Sequence, residues 1–235
     1  MLEIIVPLLS LIALEVILGI DNIIFISILA DKLPESQRNK LRYWGIGLAM
    51  VMRLLLLAAI SWILKLDKTL FTLFDNEFTG KGIILIVGGL FLIYKSTKEI
   101  YHKTESKQDH GPQVAKSATF RTMLSEVILL DLVFSIDSII TAVGMVKELW
   151  IMYTAVIVTV LIMLAAAKPI SEFISKHPSF KILALSFLLM IGVALLAEGF
   201  HVEIPKGYIY FSMAFAFLVD ILQMRAEKRA KATDQ

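Results

Sequence analysis

No cysteine occurs in this chain, and histidine occurs only four times in 235 residues. Disulfides and thiolate metal sites are therefore excluded. The histidines offer little in exchange. His102 and His110 lie in a polar stretch where a solvated loop is the expected setting, and His177 and His201 fall at the ends of apolar runs. Charge is also sparse: charged residues make up 19% of the chain and cluster between long apolar segments. The longest polar segment, about Tyr101 to Thr119, is too short for a soluble domain and is expected to be a mobile cytosolic loop. A net charge of +2 gives no argument for nucleic acid. No cleavable leader is expected either, because the first apolar run lacks a basic start, is too long for a signal core and contains acidic residues.

What remains is largely hydrocarbon. Hydrophobic residues make up 57% of the chain and the mean hydropathy is +0.77, the composition of an integral membrane protein. A helix needs about 20 mainly apolar residues to cross the bilayer, since its backbone groups must be paired within the segment. Leu2 to Ala30, Tyr43 to Leu64, Gly82 to Ile100, Met123 to Val146, Leu149 to Ala167, Ile182 to Phe200 and Tyr208 to Met224 meet or approach that length. The expected fold is thus all-α and polytopic, with seven transmembrane helices. The third stretch is the weakest, and its Lys95 is expected to snorkel to the interface. Basic residues gather in alternate connections. Lys32, Arg38, Lys40 and Arg42, then Lys95 to Arg121, then Lys168, Lys176 and Lys181, then Arg225 to Lys231 fall on one side, against Lys65, Lys68, Lys81, Lys147 and Lys206 on the other. Cytoplasmic loops carry the Lys and Arg excess, which predicts the N-terminus out and the C-terminus in.

Four acids lie inside these runs, arranged twice. Leu14 to Phe25 (LEVILGIDNIIF) and Leu130 to Thr141 (LDLVFSIDSIIT) align Glu15 with Asp131, Gly19 with Ser135, Asp21 with Asp137 and Asn22 with Ser138. A charge at mid-bilayer costs roughly 2.5 to 3.5 kcal/mol on insertion scales, so each acid is a functional hypothesis by default. The repetition predicts two three-helix units of opposite orientation, residues 1–100 and 121–203. A linker at 101–120 joins them, and residues 204–235 supply a seventh helix and tail. GGLFLIYK ending at Lys95 and IGVALLAE ending at Glu198 support the duplication, as does Arg53 set against Lys168 with a slip in register.

Residues seven apart on a helix nearly align, so Glu15 shares a face with Asn22 and Asp131 with Ser138. Asp21 and Asp137 fall off that stripe unless the helices loosen near Gly19 and Ser135. Brought together, Glu15, Asp21, Asn22, Asp131, Asp137 and Ser138, with Ser135, would form an all-oxygen cage suited to a hard divalent cation. Four carboxylates exceed a dication's charge. At least one is expected to be protonated or paired with Arg53 or Lys168, which opens a route to proton coupling. The structural alternative is that the acids fix helix packing through ion pairs. That alternative is stronger for Glu126 and Glu198, near span ends. Arg53 needs an acidic or carbonyl partner because it cannot discharge, and Gly45, Gly47, Gly88 and Gly89 point to close helix packing.

At these residues the chain resembles the bacterial TerC family. EVILGIDNIIF, LLDLVFSIDSIITAVGM, AMVMR ending at Arg53, GGLFLIYKSTKEI from Gly88, KHPSFKILALSFL from Lys176 and PKGYIYFSMAF from Pro205 carry the resemblance. It is similar to compact members without the nucleotide-sensing domains of some longer relatives. The resemblance implies an inner-membrane inverted-repeat transporter of the wider lysine-exporter superfamily, with manganese as the favoured cargo and no resident cofactor. Its implied metal path runs through Glu15, Asp21, Asn22, Asp131, Asp137 and Ser138. The expected partners are the lipid bilayer, the metal ion and protons. Two rivals stand beside a non-enzymatic exporter. One is an intramembrane aspartyl protease, though its Gly-x-Gly-Asp signature is absent; the other is a scaffold assisting assembly or metalation of other proteins.

Overall fold

A computed structural model describes residues 2–73, 76–105, 119–146, 148–202 and 204–233. The described chain is mostly helix. Its long helices are α1 (Leu2–Ala30), α2 (Glu35–Ala58), α4 (Gly80–Glu105), α5 (Phe120–Met145), α6 (Leu149–Lys176), α7 (Pro178–Gly199) and α8 (Lys206–Thr233); a one-turn α3 (Ile60–Ile63) follows α2. Six of them are long and apolar enough to cross a membrane: the segments Ile4–Ala30, Glu35–Ala58, Phe120–Met145, Leu149–Lys176, Ser179–Gly199 and Lys206–Ala226. The protein is therefore a polytopic membrane protein. α4 is not among the six, yet it packs along α7.

Several boundaries differ from those read in the sequence. The second apolar run breaks at Ala59, where α2 gives way to α3 and a 3₁₀ turn at Leu64–Asp67. An antiparallel hairpin, β1 (Thr69–Leu73) and β2 (Asn76–Thr79), follows, so the chain is not wholly α. Phe71 stacks on Phe78 across it, and Phe78 meets Phe200 edge-on. α4 carries through Tyr101 and His102 to Glu105, so the predicted loop begins later than Tyr101; His110 lies outside the described residues. α6 also runs past Ala167 to Lys176. No unwinding occurs near Gly19 or Ser135, for α1 and α5 are continuous there.

In lipid there is little hydrophobic drive to bring helices together, so close van der Waals packing and small residues carry the association. A Cβ on Gly89 would lie 2.6 Å from the Gly192 carbonyl oxygen, and one on Gly192 would lie 3.0 Å from that of Gly89. Gly82 and Gly199 repeat the arrangement at 2.9 and 2.8 Å, two turns away. α4 and α7 are thus in antiparallel backbone contact along a shared glycine face. Gly19 fits under Met163, and Gly88 under Val133. The apolar core around these contacts includes Phe25, Leu41, Leu85, Leu92, Leu130, Val160 and Leu188, and a smaller cluster holds Leu11, Leu57, Ile139 and Ile151.

Outside the duplicated motifs, polar contacts gather at the two ends of the bundle. At one end Lys32 pairs with Glu99, Lys181 pairs with Asp31, and the Ser175 hydroxyl donates to Asp31 at 3.0 Å. At the other, α7 closes with a Schellman turn in which the Val202 amide donates to the Ala197 carbonyl at 2.9 Å and His201 takes φ 61°. The His201 ring then reaches the Glu77 carbonyl at 2.8 Å, tying the hairpin to that end. His177 serves its own helix terminus through the Phe173 carbonyl.

The glycine seam is directly testable. Gly89→Val should lower stability in detergent by about 1 to 3 kcal/mol, the usual cost of overpacking. Gly47→Ala, with nothing within 4 Å of the new methyl, should be neutral or slightly stabilising. Thermal unfolding of the two variants checks the pair.

Candidate functional site

The two acidic motifs meet in the bundle interior, and helix phase divides them into two clusters. Glu15 and Asn22 share one face of α1 and look toward α2 and α5. Arg53, on α2, binds Glu15 through one guanidinium nitrogen and donates the other to Asp131 Oδ1 at 3.0 Å. Asn22 Nδ2 donates to the same oxygen at 3.1 Å, and the Ser135 hydroxyl donates to Asp131 Oδ2 at 3.1 Å. All five residues are buried. Arg53 therefore has the acidic partners it needs, one from each motif. Lys168 plays no such part: it is exposed and faces Glu172 at 3.9 Å.

Asp21 and Asp137 point elsewhere. Both are buried, at 4% and 3% exposure, and both line a cavity of about 20 Å³ with Leu18, Phe134, Lys206 and Tyr210. A volume of roughly 10 to 15 Å³ on this scale holds one water molecule. Lys206 pairs with Asp137 Oδ2, and Lys81 lies 3.8 Å from Oδ1, which accepts no hydrogen bond among the described residues. Glu198 joins the same network, 2.9 Å from Lys81 and 3.6 Å from Lys206. Asp21 has no hydrogen-bond or ion-pair partner among the described residues.

The single cage expected from the motifs is therefore not what the structure holds. Glu15, Asn22 and Asp131 gather on Arg53; Asp21 and Asp137 gather at the cavity; the Ser138 hydroxyl turns back to the Ser135 carbonyl at 3.3 Å. Among the described residues, no group of three or more His, Cys, Asp and Glu side chains is placed to hold a metal ion. With all acids ionised, each cluster carries one negative charge in excess: two acids against Arg53, and three against Lys81 and Lys206. At 4 Å and an effective dielectric near 20, one unit-charge contact is worth about 4 kcal/mol before the cost of desolvation is subtracted.

Sequence reasoning missed Lys206, Lys81 and Tyr210 as neighbours of the acids. Lys206 and Tyr210 are one helical turn apart in PKGYIYF and so share a face. That spacing was the available signal. Glu126 keeps its structural role as the partner of Lys95, which is thus paired rather than snorkelling freely. Glu198, expected near a rim, lies in the last turn of α7 and also joins the Asp137 network.

A helical membrane bundle with buried acids at its centre, drawn from two duplicated motifs, defines an integral membrane protein. The chain belongs to the TerC family of integral membrane proteins, whose family model matches residues 1–235. It is 46% identical to a UPF0053 protein of Haemophilus influenzae over 226 residues, 96% of this chain and 95% of that one. It is equally similar to the UPF0053 inner membrane protein YgdQ of Escherichia coli K12, with 94% and 92% covered. The longer UPF0053 inner membrane protein YoaE of the same strain also matches at 46% identity, but the chain spans only 43% of it. No solved structure matches.

Replacing Arg53 strands two buried carboxylates. Arg53→Met should cost about 3 to 5 kcal/mol, as expected on breaking a buried pair from one side. The further change Glu15→Gln should recover part of that loss. Unfolding midpoints and membrane expression levels of the single and double variants measure the coupling.

Proposed function

We propose that this protein exports a hard divalent cation, manganese first, across the bacterial cytoplasmic membrane, through carboxylates contributed by two inverted three-helix units. The observation that carries the proposal is that Asp21 and Asp137, one from each motif, line the same small buried cavity. All-oxygen donors suit manganese, magnesium or calcium better than zinc or copper. The resemblance of the motifs to TerC members linked to manganese efflux favours manganese. The inner-membrane names of YgdQ and YoaE support the location.

Packing supports the inverted arrangement. If α1, α2 and α4 correspond to α5, α6 and α7, then α1 on α6 and α2 on α5 are exchanged equivalents, while α4 on α7 is its own equivalent; these are the principal helix contacts. On this reading α4 is the seventh span, and the hairpin and the Lys206 end lie outside. Alternating access would rock the two units about the central acids, moving Asp137 away from its lysines to admit the metal. Protons are the proposed counter-cargo, since Asp21, without a cationic partner among the described residues, needs a proton when metal leaves. The protein acts on lipid-enclosed ions and is not an enzyme. A protease reading would also use Asp21 and Asp137 around a water, but the Lys206 pair on Asp137 disfavours a dyad sharing one proton.

Expression in a bacterial strain lacking manganese export should lower cell manganese and restore growth in excess manganese. Asp21→Asn and Asp137→Asn, at equal membrane levels, should return both measures to the vector-only value. Unchanged manganese with wild-type protein would instead favour the scaffold reading. Orientation has a separate check, because the cysteine-free background makes single-cysteine labelling clean. Lys68→Cys should react with an impermeant maleimide in intact cells, and Lys103→Cys only after permeabilisation.

A further inference from the structure

We propose that Lys206 is a tethered cation that occupies Asp137 when no metal is bound and steps onto Glu198 when metal arrives. The inference rests on the transport reading above and assigns a regulator to the same site. Lys206 opens α8, outside both three-helix units, in the PKGYIYF stretch that the sequence associates only with a flanking helix. Its ammonium pairs with Asp137 Oδ2 and stands 3.6 Å from Glu198 Oε2, so two carboxylate stations lie within reach of one flexible side chain. Lys81 holds the other Glu198 oxygen at 2.9 Å, which keeps that second station fixed in place.

A dication entering beside Asp137 would meet Lys206 at close range. Like charges in so confined a cavity repel, and the space of about 20 Å³ left beside the ammonium is too small for a hydrated ion. The lysine has somewhere to go: its side chain is a third exposed, while that of Asp137 is 4% exposed. Asp21 faces the same cavity without a cationic partner among the described residues, and so supplies a second carboxyl group for the incoming ion. The exchange involves no bond-making: one cation replaces another on a carboxylate. It gives the empty carrier a built-in occupant, so that Asp137 is not left bare as the site reorients.

The test uses the purified full chain in detergent, with Mn²⁺ as the only added divalent ion. Acetylation of Lys206, read by mass spectrometry against exposed Lys68, should rise severalfold as Mn²⁺ saturates the protein. Asp137→Asn should make Lys206 reactive from the start and insensitive to Mn²⁺. Lys206→Met should tighten Mn²⁺ binding, measured by calorimetry, by at least about tenfold through loss of the competing buried pair, whereas Lys206→Arg should not. Wild-type protein that binds Mn²⁺ with no change at Lys206, or Lys206→Met with unaltered affinity, would overturn the inference and leave the transport reading standing. Wild-type protein that binds no divalent ion would remove both. Should Lys206→Met fail to fold, the labelling of wild-type protein decides alone.

Discussion

A guanidinium in the middle of a membrane bundle cannot discharge itself, and the interior of this protein is organised around that constraint. Arg53 is 3% exposed and keeps its proton under any ordinary condition. Its two carboxylate partners come from helices more than a hundred residues apart, Glu15 on α1 and Asp131 on α5. The ion pairs therefore fix α2 against both duplicated motifs at once. Asn22 and Ser135 complete the hydrogen bonds of Asp131, so the cluster satisfies its polar groups internally. A buried network that is fully satisfied specifies one arrangement; a partly satisfied one is costly. The first cluster is of the former kind, which suits an architectural role.

The second cluster is different because helix geometry makes it so. Six residues separate Glu15 from Asp21, and Asp131 from Asp137, which at 100° per residue turns the second acid about 120° from the first. With α1 and α5 continuous, no backbone adjustment closes that angle. Each motif consequently offers one acid to Arg53 and one to the cavity. The duplicated spacing gives the bundle two chemically distinct places: a locked one, and one where, among the described residues, Asp21 has no partner and Asp137 Oδ1 accepts no hydrogen bond.

Much of this was legible in the residues. Long apolar runs located the helices, with Leu2–Ala30 matching to the residue, because composition and length govern what can cross lipid. The motif alignment identified the acids that converge, and the seven-residue rule separated Asp21 and Asp137 from Glu15 and Asn22. Arg53 could be assigned an acidic or carbonyl partner from its charge alone. The break at Ala59, the hairpin and the extension of α4 were not legible, because they depend on how chain ends pack rather than on hydropathy. Lys206 and Lys81 were hidden for a related reason. Both lie near the polar boundary of a span, where lysine is ordinary, and only the folded arrangement shows that they turn inward to Asp137.

Charge bears on the transport proposed for this arrangement. With every acid ionised the two clusters together hold two negative charges in excess, the complement of one dication, yet the cavity acids are half-silenced by lysines. A site of bare carboxylates would bind metal tightly and release it slowly. A site fully neutralised by fixed cations would not bind it at all. Conduction and transport both require occupancy that is favourable but escapable. Local cations on side chains flexible enough to withdraw meet that requirement, whereas a rigid guanidinium held by two hydrogen-bonded acids does not. The division of labour then follows from residue type: arginine, planar and permanently charged, secures the packing cluster, and lysine, a mobile point charge on a long stem, attends the cavity.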